Sequence, residues 1–200
     1  MNAKGPRERR HLRTRQAILD AAEQILVERG IEALSMREIA SRIEYSPSGL
    51  YEYFASKEEL IGAICMEGFS RLTDYVRAIP EDLSPAQRLI EAGMAYIKFG
   101  LRYPQHYLLM FTNDAIDPIP LDKLAENSAY GELMKIVRTG VETGMFRSTG
   151  DSAVEMLTYK SWALVHGLTM LRLTIMQHSV EDLDTLHRRI IENTVEGICV

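Results

Sequence analysis

Between Arg37 and Lys57 the chain gathers side chains suited to holding a polyanion rather than to breaking bonds. Ser46, Ser48, Tyr51 and Tyr53 offer hydroxyls, Arg37 and Lys57 offer cations, and Pro47 and Gly49 shape the backbone between them. Hydroxyls and cations of this kind bond phosphate oxygens, and small residues such as Ser48 and Gly49 let the chain approach base edges closely. Catalytic chemistry finds no comparable set. His11, His106, His166, His178 and His187 form no HExxH or other close ligand pair, and there is no glycine-rich phosphate loop. Cys65 and Cys199 are the only cysteines and make no CxxC, which excludes zinc-finger and disulfide-scaffold readings and fits a reducing compartment. No nucleophile stands at a recognisable spacing from a base. The expectation is a protein that is not an enzyme and that needs no metal or cofactor.

Side chains that grip a polyanion need elements to position them, and every strong boundary signal in this sequence is a helix boundary. Ser35-Met36-Arg37-Glu38 is a capping-box pattern, with Ser35 expected to accept a backbone N–H and Glu38 to reach back. Ser56-Lys57-Glu58-Glu59 repeats it, and Ser84-Pro85-Ala86-Gln87 adds proline at the first helical position. Gly30 follows Ile18, Ala21, Ala22, Ile25 and Leu26, whose helical period it caps. Pro80 and Pro104 end two further helices, and Pro118/Pro120 mark a loop. The spacing predicts helices over 10–29, 36–43, 47–54, 57–78, 85–102, 104–112, 121–143, 151–177 and 180–197, an all-α protein of nine helices. Helices 36–43 and 47–54, joined by a tight turn, suit a helix-turn-helix whose second member is small enough for the major groove. Ile39, Ala40, Ile43, Leu50 and Phe54 are its expected packing face, and Ser46 caps the second helix.

Composition sets the frame. Two hundred residues, 46% of them hydrophobic and 26% charged, can bury a core without staples. No apolar stretch is long enough to cross a bilayer and no apolar leader opens the chain, so a cytoplasmic location is expected. The net charge of −5 argues mildly against nucleic acid until it is divided. Met1 to Arg15 carries +5, residues 16–57 carry −3, and the remainder carries −7. A basic arm therefore precedes an acidic body.

The segment from about Arg13 to Leu60 resembles the amino-terminal DNA-binding domain of the tetracycline-repressor (TetR) family. The resemblance rests on Ile18-Leu19-Asp20-Ala21-Ala22, on Gly30, and on Leu34-Ser35-Met36-Arg37-Glu38-Ile39-Ala40. It continues through Ser46-Pro47, Leu50-Tyr51, Tyr53-Phe54 and Ser56-Lys57-Glu58-Glu59-Leu60. It implies DNA contacts from Arg37, Ser46, Pro47, Ser48, Gly49, Tyr51, Tyr53 and Lys57 on a double-stranded operator. One departure stands in the turn. The family usually has glycine where this chain has Glu44, followed by a smaller apolar residue where it has Tyr45. If the turn keeps its shape, Glu44 adopts a left-handed conformation costing about 1 kcal/mol or more.

The expected domains are 1–57, a helix-turn-helix domain with its basic arm, and 58–200, a ligand-binding and dimerisation domain. Leu157, Leu164, Leu168, Leu171 and Ile175 form a heptad seam, which with Leu183, Leu186, Ile190 and Thr194 is the candidate dimer interface. A second face holds Met156, Tyr159, Ala163, Gly167, Met170 and Thr174. Trp162-Ala163-Leu164-Val165-His166-Gly167 resembles a carboxy-terminal pattern of the same family. Tyr96, Phe99, Tyr103, Tyr107, Met110, Phe111, Met134, Trp162 and His166 are candidates to line a small-molecule pocket, since methionine adapts to apolar shapes and tyrosine adds a hydroxyl. The resemblance implies a dimeric transcriptional repressor released from a pseudo-palindromic operator by a small effector. Two alternatives stay open. One is a DNA-binding regulator or architectural protein without an effector, and the other is a helical binding module or enzyme that keeps the domain as scaffold.

Overall fold

The computed structural model describes residues 5–113, 127–147 and 150–200. Among them nine α-helices account for the fold: α1 (Pro6–Arg29), α2 (Met36–Arg42), α3 (Pro47–Leu50), α4 (Lys57–Arg77), α5 (Pro85–Arg102), α6 (Pro104–Thr112), α7 (Ala129–Glu142), α8 (Ala153–Leu173) and α9 (Leu183–Glu196). The chain divides into two compact units, one holding residues 1–68 and 105–117 and the other the remainder. The boundary falls inside α4, and α6 from Gln105 onward belongs to the first unit, where the sequence suggested a single cut after residue 57.

In the first unit, Ile18, Leu19, Ala22, Ile25 and Leu26 of α1, Ile39 and Ala40 of α2, Leu50 of α3 and Leu60 and Ile64 of α4 are fully buried, and α1 packs against α2 and α2 against α3. Each large aliphatic group so enclosed contributes about 1.5–3 kcal/mol over exposure. Tyr107 of α6 is also fully buried. A side chain at Gly68 would meet the Met110 sulfur at 2.4 Å, so glycine there lets α6 approach α4 closely. Buried His106 sets its Nε2 3.4 Å from the Glu23 carboxylate of α1.

In the second unit α5 is central and packs against α7, α8 and α9. Gly93 allows this: a Cβ there would lie 3.0 Å from Ile191 and 3.1 Å from Val165. The segment after α9 returns to the loop after α7. Phe146 and Cys199 form an isolated antiparallel bridge, Arg147 N–H donates to the Ile198 carbonyl at 2.8 Å, and Val200 N–H donates to that of Met145 at 3.0 Å.

Several boundaries differ from expectation for local reasons. Helix α1 starts at Pro6, four residues early, because proline at its first position carries the helix into the arginine-rich arm. Helix α3 ends at Leu50 because the chain tightens, with Tyr53 N–H reaching the Leu50 carbonyl at 2.9 Å. Helix α8 stops at Leu173, and Met176 N–H closes onto the Leu171 carbonyl. Helix α9 starts at Leu183 under Asp182, which accepts the Thr185 N–H at 3.1 Å; Ser179 instead makes a turn to Glu181 N–H. The capping box at Ser84 is complete, whereas Ser35 caps α2 while Glu38 turns to Arg29 rather than back to Ser35. Residues 121–126 of the helix expected over 121–143, the Pro118/Pro120 loop and Lys4 lie outside the described residues.

Candidate nucleic-acid interface

Helices α2 and α3 meet through a turn in which Tyr45 N–H donates to the Ala40 carbonyl at 2.8 Å. Glu44 occupies that turn with φ 54°, the left-handed conformation expected of the position usually held by glycine. The Ser46 hydroxyl accepts the Gly49 N–H at 3.1 Å and caps α3, with Pro47 at its first position. Leu50 and Phe54 are fully buried and fasten the element to the core of the first unit. Ser46, Pro47 and Ser48 are left facing solvent, and Tyr51 is 53% exposed. Arg37, Ser46, Pro47, Ser48 and Tyr51 are thus exposed, whereas Gly49, Tyr53 and Lys57 are half-buried.

The cations of α2 differ. Arg42 is tied to Glu28 of α1 at 2.7 Å, and that bond, with the Arg42 charge, holds the Glu28 carboxyl below the usual range. Arg37 is exposed and enters no ion pair among the described residues.

Tyr45 was not singled out as a site residue, yet it organises this surface. Its ring lies across Gly49, where a Cβ would fall 2.6 Å from Cε1, and it meets the Tyr53 ring edge-on at 6.3 Å. The neighbouring Tyr53 hydroxyl pushes the Tyr45 hydroxyl above its ordinary pKa, against a downward pull from the Arg10 charge. His11 of α1 stacks on Tyr53 at 4.6 Å with the rings 30° apart. One turn further along α1, the Arg15 guanidinium lies 4.7 Å from the centre of the Phe54 ring. The only prior signal was the four-residue spacing of His11 and Arg15 and of Tyr45 and Gly49, which alone does not say what each pair meets.

The candidate pocket residues are divided. Tyr107, Met110 and Phe111 belong to the first unit, and Tyr96, Phe99, Tyr103, Met134, Trp162 and His166 to the second. Three of the latter form a polar chain. Trp162 Nε1 donates to the Tyr96 hydroxyl at 3.3 Å, which pairs with His166 Nδ1 at 3.1 Å. Burial pushes the His166 pKa down, keeping the ring neutral near pH 7. Among the described residues no group of three or more His, Cys, Asp and Glu is placed to hold a metal ion, and no helix is long and apolar enough to cross a membrane.

The candidate dimer residues divide too. Leu183 is buried within its own unit, and Leu157, Leu164, Leu168, Ile190 and Thr194 are half-buried. Leu171, Ile175 and Leu186 are exposed, Ile175 to 84%. The most exposed apolar side of α8 runs through Met156, Tyr159, Ala163 and Leu171, and a Cβ added at Gly167 beside it would meet nothing within 4 Å.

Comparison with known proteins matches both halves. Residues 18–64 match the model for bacterial regulatory proteins of the tetR family, and residues 89–194 match that for the tetracyclin repressor-like C-terminal domain. The chain is 37% identical over 112 residues to the HTH-type transcriptional activator FasR of Mycolicibacterium smegmatis, a match covering 56% of this chain and 49% of that one. It is 23% identical over 198 residues to the HTH-type transcriptional regulator PksA of Bacillus subtilis, covering 98% and 94%. A structure of a protein of unknown function from Rhodococcus sp. RHA1 superposes with a TM-score of 0.78 at 22% identity, covering 93% of this chain and 95% of that one.

Proposed function

The chain belongs to the tetracycline-repressor family of DNA-binding transcriptional regulators, and from that premise we propose that it acts in the cytoplasm as a homodimeric repressor, without catalytic activity, which leaves a pseudo-palindromic operator when a small molecule binds its second unit. The observation that carries the reading is the solvent face of the capped α3 turn, where Pro47, Ser48 and Tyr51 are presented on a rigid, fully buried base. In this reading Ser48 and Gly49 approach base edges, while Arg37, Tyr51, Tyr53 and Lys57 hold phosphates and set the register.

Dimerisation is supported by the uncovered apolar strip of α8 and by Leu186 on α9. Ala163 and Gly167 let a second copy approach closely, and a twofold axis then presents two heads to half-sites one or more turns apart. An effector site is supported by the Trp162–Tyr96–His166 chain, which suits a neutral molecule with an apolar body and a hydrogen-bonding group. Release then works through α4, which begins in the first unit at Lys57 and ends in the second at Arg77. An effector that favours one setting of α4 changes head spacing, with a coupling typically of about 1–3 kcal/mol.

The test begins with the duplex that the wild-type protein selects from genomic fragments. Tyr51→Ala and Lys57→Ala should each weaken binding to it by roughly tenfold, one or two phosphate contacts' worth. Unchanged affinity in both variants removes α3 from the reading. An activator role has one specific support, the name of FasR; a reporter behind the selected site distinguishes the two, since a repressor's removal raises transcription and an activator's lowers it.

A further inference from the structure

The amino-terminal stretch of α1 is a basic segment whose obvious reading is a loose tail that finds phosphates by charge alone. Its geometry says otherwise. Pro6 to Arg29 is one continuous helix, and its early turns carry two side chains that lie on the end of the recognition segment. His11 stacks on Tyr53 at 4.6 Å, and Arg15, four residues later on the same side, covers Phe54 at 4.7 Å. Tyr53 therefore meets two rings, stacked with His11 and edge-on with Tyr45, 6.3 Å away. A half-exposed tyrosine without such a clamp samples several rotamers, and its ordering on DNA subtracts from affinity. The same contact fixes where the preceding turn goes. Arg7 projects from the His11 side one turn earlier, and the Arg10 charge already acts on Tyr45.

We propose that His11 is a positioning residue for operator binding: its ring, stacked on Tyr53, sets that side chain in its DNA-facing rotamer and holds the first turns of α1 so that Arg7 and Arg10 extend the phosphate-binding surface beside α3. The proposal rests on the reading of this head as the DNA-binding surface. Arginines held in place neutralise defined phosphates and release a defined number of counterions, whereas a loose tail contributes less per charge.

The experiment uses the full-length protein at pH 8, above the ordinary imidazole range. One probe is a duplex of about 40 base pairs selected by the wild-type protein from a random-sequence pool, long enough for two half-sites; the other is the unselected pool. Affinity is measured over a salt series for wild type, His11→Ala, His11→Phe, the Arg7→Ala/Arg10→Ala pair, and that pair combined with His11→Ala. His11→Ala should bind the selected duplex about three- to tenfold more weakly and reduce the log–log salt slope by about one to two. His11→Phe, which keeps a flat ring, should restore both. Adding His11→Ala to the arginine pair should cost less than it does alone, because part of its effect passes through those arginines. Thermal melts accompany each variant; if His11→Ala unfolds, the salt slope of the folded His11→Phe variant decides, and a slope below wild type overturns the proposal. It is also overturned if His11→Ala matches wild type in affinity and slope, if His11→Phe fails to rescue a folded His11→Ala, or if the effects simply add. Wild-type protein that binds neither probe overturns the DNA-binding reading instead.

Discussion

Glu44 holds φ 54° although it carries a Cβ, and five residues later Gly49 sits beneath the ring of Tyr45. These two positions depend on each other through Tyr45. The left-handed turn costs Glu44 about 1–2 kcal/mol, and glycine would recover that less roughly 0.5–1 kcal/mol for the extra freedom of its unfolded chain. Glu44→Gly is therefore expected to raise the melting temperature by about 1–3 °C, and an unchanged or lower midpoint in a thermal melt would count against strain in the turn. At Gly49 the expectation is opposite in sign. Gly49→Ala puts a methyl 2.6 Å from Tyr45 Cε1, so the ring must leave Gly49 and loosen its grip on Tyr53. Operator affinity should fall in Gly49→Ala and recover in part in the double variant Gly49→Ala/Tyr45→Ala, where the obstruction is gone. Equal losses in the single and double variants, measured by titration with fluorescent duplex, would show that Tyr45 has no part in the effect.

At the scale of elements, α8 faces its own unit with Thr158, Val165 and Thr169 and leaves Met156, Tyr159, Ala163 and Leu171 uncovered. Gly167 lies by that open strip with nothing within 4 Å of a Cβ. Gly167→Leu should therefore leave each protomer folded and displace a second copy, and sedimentation at micromolar concentration should show monomer where wild type shows dimer. Dimers that persist unchanged would place the partner elsewhere. Helix capping and the helical period made most elements legible in the sequence: α2, α3, α4, α5 and α6 begin where expected, and α5 and α6 also end there. Local patterns carry caps because a serine and the N–H three residues on are neighbours in any helix. What remained hidden is tertiary. The heptad seam through α8 is regular in sequence, yet Leu157, Leu164 and Leu168 are half-buried while Leu171 and Ile175 are exposed, since periodicity names a face without naming what covers it. The left-handed turn at Glu44 was readable from family resemblance, whereas the His11–Tyr53 stack required α1 and the recognition segment to be placed together.

For the molecule as a whole, charge and buried histidine set its response to solution conditions. Charges sum to +2 through residue 57 and −7 beyond it, so phosphate repels the body and favours approach by the basic end in dilute salt. His187 is buried with Nδ1 unpartnered, and burial, helped by Arg172 and opposed by Asp184, lowers its pKa; burial also lowers that of His166. A histidine with a lowered folded pKa is neutral in the native state while the unfolded chain takes up a proton near pH 6.5. The resulting stability is fully present above that pH and is lost as pH falls toward the folded values. The melting temperature should accordingly decline from pH 7.5 to 5.5. His187→Leu should make that decline shallower and remove an unsatisfied buried nitrogen worth about 1–3 kcal/mol. A pH dependence identical to wild type would show that His187 carries none of it.

The backbone bridge between Phe146 and Cys199 also orders events in time as the chain leaves the ribosome. Every residue of the first unit has been synthesised by position 117, whereas the second must wait for Val195, Ile198 and Cys199 before its core and bridge can close. At about 5–20 residues per second that leaves an interval of roughly 4–17 s in which the first unit can already be folding while the second is still being made. The second unit is then the last part of the nascent protein to close.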